Sequence, residues 1–231
     1  LGLVDVAVTG HMGGDDGVSS STSLPASYYV GAIAVGGMLF NIIYWMFGFL
    51  RMGTGGETAQ AWGRRDLDGV VLLLVRSLLL ALVLALVLMG LSPLVRDGAL
   101  WYIAPEAEVA SLARTYFNIC IWGAVPALGL FAMNGWYIGM QNSRFPMIVA
   151  IGQNLLNIAC SIFFVYALGM RIEGVALGTL LAQWVAFIIA LLLCLRYYRR
   201  LWKRKSFRVP SFLLLLRQAV TPGTASNRQN F

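Results

Sequence analysis

Long apolar runs alternate with short polar ones along this chain of 231 residues. An α-helix needs about 20 apolar residues to cross a hydrocarbon core of about 30 Å, and runs of that length recur. Full spans are predicted at 28–50, 69–92, 110–139, 146–169 and 174–195. Residues 1–9 are also apolar, but nine residues rise only about 14 Å as a helix, so they read as the tail of a first helix whose beginning is missing. The polar intervals read as connections. Residues 13–27 form a flexible acidic loop, and 51–66 (RMGTGGETAQAWGRRD) a Gly-rich polar one. Residues 92–109 form a loop with Trp101 and Tyr102 at interface depth, while QNSRFP and GMRIEG are tight turns. Pro126 predicts a kink inside the span 110–139.

Composition agrees with an all-α integral membrane protein. Charged residues make up 12% of the chain and hydrophobic ones 59%, whereas an ordinary soluble domain carries about 25% charged residues. The net charge of +7 does not point to nucleic acid, because seven of the seventeen basic residues fall between Arg196 and Arg208, directly after an apolar run. Such a cluster reads as a cytoplasmic anchor. The connections 51–66 and 141–146 and the exit of the last span hold eleven Lys and Arg; the opposite connections hold three. The positive-inside rule therefore puts the first set, and both ends of the six-helix unit, in the cytoplasm. Cys120, Cys160 and Cys194 stand alone in apolar segments and read as small buried hydrophobes.

An ionisable group inside a span is costly and marks function by default. Arg76 lies about 10 Å in from the end of its span, within snorkelling reach of the interface. Asp5 is too short to snorkel. Two readings stand for it: a carboxylate facing a water-filled interior, trading H+ or Na+ against another cargo, or a carboxylate at a helix end that bonds a neighbour. His11 is an interfacial histidine or a pH-sensing neighbour of Asp5. In the span 146–169, Asn157 and Ser161 are spaced i, i+4 and share a face, with Asn154 near it. Their oxygens could coordinate a small cation or bond a substrate, or they could be interhelical hydrogen bonds. Asn41, Asn118, Asn134, Thr179 and Gln183 add polar positions that periodicity does not sort, and Tyr44 and Trp45 are candidate cargo contacts. No nucleophile elbow, phosphate loop or HExxH pattern points to an enzyme or a bound cofactor.

FNIIYWMFGFLRMGTGGETAQAWGRRD, residues 40–66, resembles the region joining the second and third helices of multidrug and toxic compound extrusion (MATE) transporters, in the DinF-like branch where FLRMGT is followed by TAQA. LGLVDVAVTGHMG resembles that branch's first helix. NGWYIGMQNSRFP and QNLLNIACSIFFVYALGMRIEGVALGTLLAQW resemble its fourth to sixth helices. The resemblance implies twelve helices in two six-helix lobes, with this chain as the N-terminal lobe over residues 1–208, and 209–231 as the start of an inter-lobe linker with a polar tail. It implies H+- or Na+-driven export of small organic, often cationic or amphipathic, compounds across a bacterial inner membrane. It further implies that Asp5, Asn157 and Thr179, with Ser161 beside them, form the coupling site. Ser161 stands where many members carry an acid, which leaves one carboxylate in the lobe. Asn41, Tyr44 and Asn154 are placed in the substrate cavity. The second lobe is missing, so two alternatives accompany this reading: a flippase for lipid-linked or amphipathic cargo, and a membrane subunit that does not transport.

Overall fold

The computed structural model describes residues 26–203 other than 169 and 171. Asp5, His11, the apolar segment 1–9 and the tail 209–231 lie outside the described residues. The helices run in the order α1 (Ala26–Met46), α2 (Gly48–Gly63), α3 (Leu67–Ile103), α4 (Ala107–Cys120), α5 (Ala124–Gly139), α6 (Arg144–Ile162) and α7 (Ile172–Lys203). A 3₁₀ turn, Ile121–Gly123, joins α4 to α5, and a π-helical turn, Phe163–Ala167, extends α6. Together they make five spans long and apolar enough to cross a membrane, and no strand occurs among the described residues. The protein is a multi-pass, all-α membrane protein.

Two connections expected as loops are helical. The Gly-rich stretch 51–66 continues the preceding span as α2, and the chain reverses only at 64–66, where Arg65 takes a left-handed φ of 59°. The glycines explain the difference, because they form a packing surface. A Cβ on Gly135 would strike the backbone carbonyl of Arg51, and one on Gly139 would lie 2.7 Å from the carbonyl oxygen of Gly55 and from the Cβ of Thr58. Small residues at this spacing let α2 and α5 approach backbone to backbone, which is how helices associate in lipid. The second correction is α3, which runs through Pro93 to Ile103 instead of ending near residue 92. Membrane helices tolerate an internal proline where the freed carbonyl finds another partner. At about 55 Å, α3 is longer than a bilayer core and must tilt or protrude. Its start is set by Asp66, whose carboxylate accepts from the backbone N–H of Gly69 at 2.9 Å. The span expected to kink at Pro126 is interrupted near it, by the 3₁₀ turn Ile121–Gly123 that ends three residues before the proline.

Two apolar cores fill the bundle. One gathers α1, the middle and far part of α3, α4, the first half of α5 and the start of α7, around Phe40, Phe117, Leu128 and Val175. The other surrounds Trp136 and Tyr137 of α5, with Val70, Val149, Ala190 and Cys194. Both aromatics use their polar ends as clips. Trp136 Nε1 donates to the Val70 carbonyl at 2.8 Å, and the Tyr137 hydroxyl donates to the Ala190 carbonyl at 3.1 Å. Cys120 and Cys194 are buried as expected, and Cys160 is half-buried.

Candidate functional site

Between the two cores the facing sides of α6 and α7 turn polar. Along α7, Val175 and Ala176 belong to one core and Ala186 and Ala190 to the other; Thr179 and Gln183 lie between them. Along α6, Val149 belongs to one core, while Val165, in the π-helical turn that extends it, belongs to the other; Asn157 and Ser161 lie between. Asn157 sits about 20 Å from Arg144 and about 15 Å from Ala167, the two ends of its span, hence near mid-membrane. Ion and substrate sites of secondary transporters sit at this depth.

All four side chains are buried. Asn157 and Ser161 are 0% exposed, Thr179 7% and Gln183 8%. Asn157 Nδ2 donates to Thr179 Oγ1 at 2.9 Å, and the Thr179 hydroxyl donates to the Val175 carbonyl at 3.1 Å. This leaves Asn157 Oδ1, Ser161 Oγ and Gln183 Oε1 without a hydrogen-bond partner among the described residues. Glycines shape the gap. Gly178 brings α7 so close that a Cβ there would lie 2.6 Å from Ser161 Oγ, and Gln183 Oε1 abuts Gly123 in the 3₁₀ turn. The i, i+4 repeat of α7 puts Gln183 on the Thr179 face.

Burying an unpaired polar group costs about 1–3 kcal/mol, so these oxygens, two at the α6–α7 contact and one facing the 3₁₀ turn, do not serve stability. Neutral amide and hydroxyl oxygens suit a hard cation or a hydrogen-bond donor. Gln183 was not singled out from the other polar positions by sequence, because its distinction lies in the abutting Gly123, a contact across helices.

The other candidates lie elsewhere. Asn41 and Asn154 are exposed on the surface of the helix bundle. Tyr44 is half-buried; its ring packs on Phe40 and edge-on against Phe131, and its buried hydroxyl has no partner among the described residues. Asn118 accepts from Arg96 at 2.6 Å at the end of the bundle, beside the Arg96–Asp97 ion pair. Thr58, fully buried with an unpartnered hydroxyl, was missed because its TAQA surroundings read as a loop.

Residues 1–163 match the family described as MatE. The chain belongs to the MatE family. Among MatE relatives, DNA damage-inducible protein F of Escherichia coli (strain K12) is 34% identical over 193 residues, covering 84% of this chain and 39% of that protein. Multidrug and toxin extrusion protein 2 of Mus musculus is 29% identical, covering 69% of this chain and 30% of that protein. The structure of a multidrug resistance MATE family transporter of the MOP superfamily in its inward-facing conformation superposes with a TM-score of 0.73 at 22% identity, over 96% of this chain and 45% of that one. An outward-facing structure with the same description gives 0.66 at 24% identity. At these identities the likeness speaks to the fold. The chain spans less than half the length of these MatE relatives.

Proposed function

We propose that this chain supplies one lobe of a secondary antiporter that exports small organic, often cationic or amphipathic, compounds from a bacterial cytoplasm, driven by H+ or Na+. The observation that carries the reading is the mid-depth α6–α7 seam in which Asn157 and Ser161 present unpartnered oxygens beside Thr179, with a third, Gln183 Oε1, one turn further along α7. A coupling cation entering there satisfies them. Asp5 supplies the charge, and Thr179 holds the Asn157 amide so that its oxygen faces the ion. The names of the relatives support the cargo class. Tyr44 contributes a cargo contact, with Asn41 and Asn154 on the surfaces that complete the cavity with a second lobe. Asp5→Asn in the two-lobe protein is expected to abolish ion-driven dye export from proteoliposomes, and retained export rejects the assignment.

A second reading has one observation behind it. The chain covers 39% of its Escherichia coli relative, and alternating access needs two lobes rocking about one site. A single lobe expressed by itself is then expected to behave as a membrane subunit that confers no drug export. A cargo that is lipid-linked is the remaining alternative, and comparing dye with lipid-linked substrates in the same vesicles separates the two.

A further inference from the structure

A cavity of about 180 Å³ opens between α2 and α3, away from the α6–α7 seam. Its lining is ordered by depth. Counted from the turn at 64–66, Glu57 lies about 9 Å in, Thr54 and Arg76 about 13 Å, and Phe49 and Leu80 about 20 Å. Thr54 and Ser77 are 7% and 8% exposed and form the floor, while Phe49 and Leu80 are 54% and 46% exposed at the deep end. From the interface inward the cavity thus presents an acid, then a guanidinium level with a hydroxyl, then an apolar wall.

We propose that this cavity binds an aminophospholipid, independently of the transport reading. Such a lipid carries its groups in the same order: a primary ammonium outermost, a phosphate below it, acyl chains deepest. Glu57 accepts hydrogen bonds from the ammonium, the Arg76 fork donates to the phosphate, and the chains run along Phe49 and Leu80. Other occupants fit less well. An organic cation meets the like charge of Arg76. A soluble phosphate leaves both the apolar wall and Glu57 unused. A quaternary choline head offers Glu57 no N–H donor.

Native mass spectrometry of the purified chain, titrated with phosphatidylethanolamine, phosphatidylglycerol and phosphatidylcholine of matched chains, tests this. Phosphatidylethanolamine is expected to be retained about tenfold better than phosphatidylcholine, the worth of one charge-assisted hydrogen bond. Glu57→Gln removes that preference while leaving phosphatidylglycerol retention unchanged. Arg76→Gln weakens all three lipids, and Arg76→Lys, which keeps the charge and guards against a folding defect, weakens them less. Equal retention of the ethanolamine and choline lipids by the unmodified chain overturns the proposal, as does displacement of the lipid by inorganic phosphate or by a cationic dye alone.

Discussion

At single residues, the contact of Gly178 with Ser161 is a tight constraint on the α6–α7 packing. A Cβ at 178 would lie 2.6 Å from the Ser161 hydroxyl and 2.9 Å from its backbone nitrogen, so one helix must shift. Gly178→Ala is expected to destabilise the helix bundle by about 1–3 kcal/mol, read as a lowered unfolding midpoint in detergent. Thr179→Val keeps the shape but strands the Asn157 amide N–H, with a cost of about 1–3 kcal/mol by the same measurement. The pairing of Asn157 with Ser161 was legible from their i, i+4 spacing. Asn154 shows how narrow that inference is: three residues before Asn157 it is rotated about 60° around the helix, enough to leave the seam for the surface. Which oxygens stay unpartnered was not legible, since that depends on Gly123 and Gly178 across the interface.

Among the helices, the α2–α5 contact divides the glycines into two kinds. Gly135 faces the Arg51 carbonyl across the seam, whereas Gly56 has nothing within 4 Å of a built Cβ. Gly135→Ala is expected to lower stability by about 1–3 kcal/mol. Gly56→Ala should be neutral or raise it by up to about 1 kcal/mol through helix propensity. Equal unfolding midpoints for the two variants would contradict the close backbone packing. The number and order of the spans were legible because each apolar run is long enough to cross a bilayer. Their ends were less so. Gly and polar residues signal turns in water, but in α2 they serve helix contact, and the Ser-Pro step at 92–93 does not stop α3 because a membrane helix tolerates it.

For the molecule as a whole, basic residues set the orientation. The reading that the 64–66 turn faces the cytoplasm predicts that Pro105→Cys is labelled by an impermeant maleimide in intact cells, and Arg65→Cys only after permeabilisation. The reverse pattern would invert the lobe. MatE membership was legible from the 40–66 and helix-end motifs, and the fold follows from it. The proposed coupling site draws on two helices that are legible in sequence, and includes Asp5 only through the family resemblance. The most direct measurement is ion-driven dye export by the two-lobe protein carrying Asn157→Ala, reconstituted at equal amount beside the unmodified protein. If the α6–α7 seam is the cation site, export falls to that of protein-free vesicles while substrate binding persists; export at the unmodified rate contradicts it.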